Sequence, residues 1–474
     1  MPGSSLSALL MAHPFADDAG LLHTIDRSVT AGAAREAARA CADSLRALGA
    51  RPGSAVAVAL PNGPEFVTTM FGVWLAGGVF VPMNPRFPDA EVERVLAATD
   101  PAVVVRADGA RARSSTRTYD DGVAFVMWTS GTTGAPKAIL HTHEAYLELL
   151  DRVLGPLRGR GSDEGAARAP TPNLIPVSLA LNAGIYNALF GLRAGAALVI
   201  MDRFGTHEFA ELVHRFEIRS TVLPPAALTM LTDDESVTDL TPLRYVRSIT
   251  APLSPLQARR FTDKFGAVVL NSYGQAEIGE VIGWTAADAR EHPEKVGAIG
   301  RPHPGVDIRV VGDDGTAVDR GEVGLLLVRP PNMAAGYATG EELGDRVDRE
   351  GFVNTGDLAR VDGDGFVWIE GRAGDLINRG GNKVFPEQVE EVLCLAPGVS
   401  EAAVVGVPDD RLGEVPVAFV VGDATDDELV ALCREHLVPY KVPVAFQRID
   451  ELPRTEVGKI VRRDLVREYR PRSG

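Results

Sequence analysis

The sequence predicts an α/β protein: a large N-terminal multi-subdomain body of mixed and parallel sheets, a β-rich subdomain closing it, and a small α+β C-terminal domain. Three observations predict this. Short β-branched runs alternate with amphipathic helical stretches up to about Gly305, which implies parallel strands joined by crossover helices. The texture then changes to hairpins around Gly/Asp turns. Beyond Gly371 a compact unit of about one hundred residues carries its own helices, strands and basic tail.

In chain order, Ala34 to Leu48 repeats apolar residues at three and four and reads as a helix, and Ser54 to Leu60 reads as a buried strand. Phe66 to Leu75 is again helical, and Gly77 to Pro85 is a strand leaving through Pro82 and Pro85. The alternation recurs in Gly195 to Asp202, a helix around Glu208 to Phe216, then Arg219 to Pro225 and Ala267 to Gly274. Asp307 to Val311 and Glu322 to Val328 are expected to flank the turn Gly312-Asp313-Asp314-Gly315, as Leu358 to Val361 and Phe366 to Gly371 flank Asp362 to Gly365. The last unit offers a helix at Pro386 to Leu395, strands at Glu401 to Val407 and Val417 to Asp423, and a helix at Asp426 to Leu437. The domain division is expected near Arg372 to Asp375, giving 1–372 and 373–474.

The chain has 474 residues and a net charge of −16, which disfavours a nucleic-acid binder because such affinity needs a basic stripe. Hydrophobic residues at 45% and charged residues at 24% are those of a globular chain, not a disordered one. The longest apolar stretch, Phe71 to Met83, is shorter than the roughly 18 residues a spanning helix needs. The first residues lack a basic n-region, so no secretory signal is expected, and Cys41, Cys394 and Cys433 show no C-x-x-C spacing. A cytoplasmic protein with small-molecule substrates is the expectation; a homo-oligomer is compatible with it.

Chemistry concentrates in Phe125 to Lys137, a strand running into Thr129, Ser130, Gly131, Thr132, Thr133, Gly134 and Lys137. Glycines let backbone N–H groups converge on an anion, hydroxyls add donors and a lysine adds charge: together they form a phosphate cradle. Ala135-Pro136 separates the second glycine from the lysine, so the spacing is not that of a Walker A loop.

This loop resembles the phosphate-binding signature of the adenylate-forming superfamily of acyl-CoA synthetases, adenylation domains and luciferases, closest to its AMP-forming acyl-CoA ligases. Further matches follow in order: Ala251 to Pro255, Asn271 to Glu277, Asn354 to Phe366, Gly371 to Glu390 and Leu452 to Leu465. The resemblance implies a mobile C-terminal lid and use of ATP, Mg2+ and CoA. It makes Lys459, Glu277 and Thr132 catalytic: Lys459 as the cation at the reacting carboxylate and α-phosphate, Glu277 as the magnesium carboxylate. It assigns Asp357 to the ribose hydroxyls, Arg372 to ribose or phosphate, and Tyr273, with Ala251 and Pro252 as the other wall, to the adenine, and counts Asn271 and Gly274 among the cofactor-binding residues. The acyl pocket would be walled by Val177 to Asn187, Pro224, Pro225 and Gly279 to Val281, with Ser178, Leu179, Asn182, Tyr186, Pro224 and Gly279 as its principal residues. Its aliphatic character with a few polar groups suggests a small or aryl carboxylic acid. Arg379, Gly380 and Gly381 fall where CoA ligases guide the thiol.

Three positions depart from the superfamily pattern. Ala276 replaces a hydroxyl residue before Glu277, Leu179 stands near the place of an acyl-site histidine or aromatic, and the hinge position is Gly374. The first two keep other acceptors open: loading of a separate carrier protein, or adenylation of an oxyanion such as nitrite for attack by an arylamine. A non-catalytic nucleotide binder is disfavoured by the joint presence of Lys137, Glu277, Asp357, Arg372 and Lys459. His143-Glu144 and His207-Glu208 have no histidine at the spacing a zinc helix needs, and no Gly-x-Ser-x-Gly elbow occurs. In-line transfer to an α-phosphate concentrates negative charge at phosphorus, so the cation that appears there acts mainly on the transition state. Lys459→Ala is therefore expected to depress adenylate formation strongly while ATP affinity changes little; single-turnover adenylation and ATP titration check the two separately.

Overall fold

The structure is a computed structural model that describes residues 5–128, 137–158, 171–249, 253–338, 344–454 and 460–470. Two large sheets form the body. The first has seven strands, with Ala55–Ala59 flanked by parallel neighbours Val79–Pro82 and Val103–Arg106. Every residue of Ala55–Ala59 is buried, which explains its uninterrupted apolar run: a strand covered on both faces has no polar side. The second sheet has nine strands, whose parallel centre includes Asn173–Ile175, Ser220–Leu223, Tyr245–Ser248 and Val268–Gln275. Antiparallel strands close both edges of this sheet, Ser28–Thr30 at one and Gly279–Gly283 with Arg301–Pro302 at the other.

Helices bind the two sheets into one core. Helix Ala31–Ala47 buries Ala31, Ala34, Ala38, Ala42 and Leu45, the stripe that a 3.6-residue period places on one face. Thr30 caps it by accepting from the Ala33 N–H at 3.2 Å. Helix Pro64–Leu75 crosses it so closely that a Cβ on Gly72 would lie 2.7 Å from the Cys41 sulfur. The core between the sheets gathers Leu21, Phe66, Phe80, Phe125, Ile175 and Leu198, and the Trp74 indole donates to the Ala124 carbonyl at 2.8 Å. Side chains of this size, fully buried, each contribute about 1.5–3 kcal/mol.

A four-stranded antiparallel sheet, ordered Asp307–Val311, Gly324–Arg329, Val353–Val361, Val367–Arg372, follows the body. The turn at Gly312 to Gly315 differs from expectation. It does not lead straight into the partner strand, because the Asp314 carboxylate takes the Thr316 N–H and hydroxyl and turns the chain back so that Val318 donates to the Val310 carbonyl at 3.0 Å. A second turn at Asp319 then delivers Gly324–Arg329.

The C-terminal unit has a separate five-stranded sheet, built on the antiparallel pair Val399–Asp409 and Gly413–Gly422, with helices Pro386–Leu393 and Asp426–His436. Thr425 and Glu428 form a reciprocal capping box at the second helix. Arg462 ties helix Pro386–Leu393 to the junction: it pairs with Glu387 at 3.1 Å, with Glu390, and with Asp375 at 3.4 Å. No helix among the described residues is long and apolar enough to cross a membrane.

Candidate active site

Strand Val268–Gln275 continues past its parallel neighbour and folds back as Gly279–Gly283. This return is tight. A Cβ on Gly274 would lie 2.2 Å from the Gly279 carbonyl oxygen, and Gly279 itself has φ +65° with Leu149 against it. The strand end thereby projects Tyr273, Gln275 and, beyond it, Glu277 toward the antiparallel sheet.

There, pairing of Val353–Val361 with Val367–Arg372 sets Asp357 directly opposite Arg372, whose Nε lies 2.7 Å from the Asp357 carboxylate. The other carboxylate oxygen accepts from the Tyr273 hydroxyl and, at 3.1 Å, from the Gln275 amide. Asp357 is 4% exposed, and its backbone is held from beneath: its N–H donates to Thr355 Oγ1 at 3.1 Å while that hydroxyl donates to the Leu326 carbonyl at 2.7 Å. Burial first, and the Asp357 charge second, push the Tyr273 phenol well above its ordinary range, so it stays a donor. Arg346 extends the network. It donates to Gln275 Oε1 at 2.7 Å and to Glu277 Oε1 at 2.8 Å, and braces itself on the Asn354 carbonyl. Two buried carboxylates, Asp357 and Glu277, are thus linked across the seam between two sheets through the Gln275 amide and the Arg346 guanidinium, while Arg372 pairs with Asp357 alone.

The sequence-expected residues divide as follows. Tyr273, Glu277, Asp357 and Arg372 converge on this seam and Gly274 lies in its tight return, whereas the side chain of Asn271, two residues before Tyr273 on the same strand, accepts only from the Ser272 N–H among the described residues. Lys137 leads into strand Ala138–Thr142 with its ammonium 4.7 Å from the centre of the Tyr337 ring. Thr129, Ser130, Gly131, Thr132, Thr133, Gly134, Ala251, Pro252 and Lys459 lie outside the described residues. Gly374 has no positive φ, and a Cβ there would meet nothing within 4 Å. Gly380 and Gly381, at φ +58° and +87°, make the two-residue loop between Ile377–Arg379 and Asn382–Val384, while Arg379 donates to the Tyr440 and Val442 carbonyls.

Around the expected acyl pocket, Asn62 pins the loop before helix Asn182–Arg193. Its amide donates to the Val177 carbonyl at 3.1 Å and its oxygen accepts from the Leu179 N–H at 2.8 Å. Leu179 is fully buried in the core. Ser178 caps the Ala180 N–H, Pro224 precedes helix Pro225–Asp233, and Asn182 Oδ1 accepts from the Tyr146 hydroxyl at 3.1 Å. The region is less aliphatic than its sequence suggests, because Tyr186 donates to Glu280 Oε2 at 3.2 Å and Glu280 also pairs with Arg247. Sequence reading missed Arg346, Arg247, Asn62 and the role of Gln275. Only Gln275 carried a signal, since it sits two residues beyond Tyr273 on the same strand.

This fold is that of adenylate-forming enzymes. The description AMP-binding enzyme matches residues 12–120 and 111–338, and AMP-binding enzyme C-terminal domain matches 388–459. The chain belongs to the AMP-binding enzyme family. It is 33% identical to a feruloyl-CoA synthase of Amycolatopsis over 90% of this chain and 91% of that protein. With a sulfoacetate–CoA ligase of Cupriavidus necator it shares 30% identity over 93% of this chain and 92% of the other. Among solved structures, o-succinylbenzoate CoA synthetase of Bacillus subtilis, in complex with its acyl-adenylate intermediate, superposes with a TM-score of 0.84 at 25% identity, covering 96% of this chain and 97% of that one.

Because Gly274 faces backbone that cannot yield, Gly274→Ala is expected to destabilise the protein by about 1–3 kcal/mol. Gly363→Ala, where a Cβ would meet nothing within 4 Å, is expected to stay within about 0.5 kcal/mol. Urea-unfolding midpoints of the two variants measure the difference.

Proposed function

We propose that this chain is an ATP-dependent, AMP-forming carboxylic acid:CoA ligase. The observation that carries the reading is the Asp357–Arg372–Tyr273–Gln275 constellation beside Glu277, at the positions where the superfamily motifs put the nucleotide. In the first half-reaction a carboxylate oxygen attacks the α-phosphorus of ATP and the bond to pyrophosphate breaks, leaving an acyl-adenylate. In the second, the CoA sulfur attacks the acyl carbon, its proton is lost, and AMP departs with the electron pair of the broken acyl–oxygen bond. Positioning and electrostatics carry both steps.

Within this reading Asp357 accepts from the ribose hydroxyls with the lone pairs that Arg372, Tyr273 and Gln275 leave open, and those partners fix its orientation. Tyr273 offers its ring to the adenine. The 129–134 loop and Lys137 take the phosphates, and Lys459 meets the α-phosphate and the reacting carboxylate. Among the described residues no group of three or more His, Cys, Asp or Glu side chains could hold a metal. Mg2+ keeps water and phosphate oxygens and needs only one or two protein carboxylates, and Glu277, 7% exposed and oriented by Arg346, would supply one. Magnesium bound there would neutralise charge on the phosphates. The acids named for the relatives, ferulate and sulfoacetate, support a small or aryl acid carrying a further polar group.

One active site serving two half-reactions requires the unit from about residue 373 onward to swing after pyrophosphate leaves. Gly374 is suited to the pivot: nothing in its present φ or surroundings demands glycine, so its backbone freedom serves another arrangement.

The reading is tested by pyrophosphate release and product mass spectrometry over a panel of acids with ATP, Mg2+ and CoA; an acyl-CoA product is expected, and pyrophosphate release with no thioester would refute it. Asp357→Ala should weaken ATP binding by about 1.5–3 kcal/mol in calorimetry, with Asp357→Asn intermediate. Gly374→Pro, which fixes φ near −65°, should impair one half-reaction far more than the other when pyrophosphate exchange and thioester formation from pre-formed adenylate are assayed separately.

A further inference from the structure

Three residues beyond Glu277 the chain buries a second cluster of charge that the adenylation chemistry does not use. Its members come from four elements: Arg152 on helix His143–Arg158, Tyr186 on helix Asn182–Arg193, Arg247 on strand Tyr245–Ser248, and Glu280 on strand Gly279–Gly283, with His303 beside them. Glu280 is satisfied. Its carboxylate pairs with Arg247, accepts from the Tyr186 hydroxyl at 3.2 Å and lies 3.1 Å from His303 Nε2. Burial first, then the charges of Arg247 and Arg152, drive the His303 imidazole down to about 3, so it is neutral. Burial likewise keeps the Tyr186 phenol protonated.

Among the described residues the charges do not balance, because two guanidiniums face one carboxylate. Arg152 is the one left over. It is 9% exposed, its only hydrogen bond among the described residues runs to the Glu280 backbone carbonyl at 3.1 Å, and its buried Nε has no partner. Glu148, one turn earlier on the same helix, is exposed and acts on Arg152 only through its charge, which does not offset burial: the guanidinium is held below its ordinary range. An isolated buried cation is costly, and buried charges in folded proteins are paired. Among the described residues no second carboxylate meets it, which leaves the place beside Arg152 for an anionic ligand. Its place is set by the pocket: Tyr186 and Gly279–Glu280 belong to the expected acyl wall, and Leu149, one turn before Arg152, packs on Gly279.

We propose that Arg152, with Arg247, Glu280, His303 and Tyr186 around it, is a subsite for a second anionic group of the substrate, so that the acid is a dicarboxylic acid whose distal carboxylate pairs with Arg152. This rests on the ligase reading and names its substrate class. Glu280 has a defined part: it neutralises Arg247, so the subsite holds one net positive charge and matches one carboxylate. Arg152 is the specificity determinant and takes no part in bond making.

The test uses matched pairs: succinate, glutarate, isophthalate and terephthalate, each against its monomethyl ester, which keeps the reacting carboxylate and removes only the second charge. Pyrophosphate release with ATP and Mg2+ gives kcat/KM for each. At least one diacid is expected to exceed its ester by about 100-fold or more, since a buried polar site deprived of its partner can discriminate by up to about 10⁴–10⁵-fold. Arg152→Gln should bring that ratio within about threefold, and Arg152→Lys, which keeps a charge but not the planar fork, should retain only part of it. A purely structural arginine would lower both rates together and leave the ratio unmoved. Esters equal to or better than their diacids in the wild-type protein, or a ratio that survives Arg152→Gln, would overturn the inference, and the wild-type ratio decides even if a variant fails to fold. Turnover of ferulate or indoleacetate with none of the diacids would overturn it and leave the ligase reading standing. No pyrophosphate release with any acid would remove both.

Discussion

The molecule turns on the carboxylate of Asp357. It is almost fully buried, and an ionised carboxylate in that position is tolerable only when its oxygens are occupied. Arg372 comes from the adjacent strand, while Tyr273 and Gln275 come from a different sheet, so satisfying one charge also locks the antiparallel sheet against the edge of the nine-stranded sheet. The lock extends through Gln275 and Arg346 to Glu277, so a single guanidinium and an amide connect the two acidic groups. Removing any member strands another.

Close backbone approach makes that lock possible. The strand carrying Tyr273 and Gln275 must reverse immediately afterwards, and it does so where Gly274 and Gly279 leave no room for side chains. The same reversal sends Glu280 back toward Arg247 on the neighbouring strand and toward Tyr186 and Arg152 on two helices. One tight return therefore serves two polar clusters, one on each side of Glu277, and the intervening residues cannot shift without disturbing both. The C-terminal unit is held differently, by exposed or half-exposed pairs such as Lys383 with Asp313. Such pairs contribute little at a surface and are easily exchanged.

Legibility followed the range of the interaction. Helix Pro64–Leu75, the parallel strands and the hairpin around Asp362 were readable because periodicity and turn chemistry act within a few residues. The strand pair around Gly312 was equally readable, but not the length of its connection, because Asp314 turns the chain back toward Thr316 before a second turn delivers the partner strand. The motif residues Tyr273, Asp357 and Arg372 were recognisable, yet their sequence says nothing of the Tyr273 hydroxyl being spent on Asp357.

By itself, the sequence determined the α/β class, most strands and helices, the adenylate-forming motifs and the two acidic residues at the seam, since each is written in local pattern or in residue order. Tertiary structure alone decided that Arg346 and Gln275 bridge those acids and that Asn62 pins the loop at Val177 to Leu179. It alone placed Arg152, Arg247 and His303 around Glu280. The reason is physical: an arginine in a sequence rich in acids has many eligible partners, and only the packing of distant elements selects one and removes water from the rest.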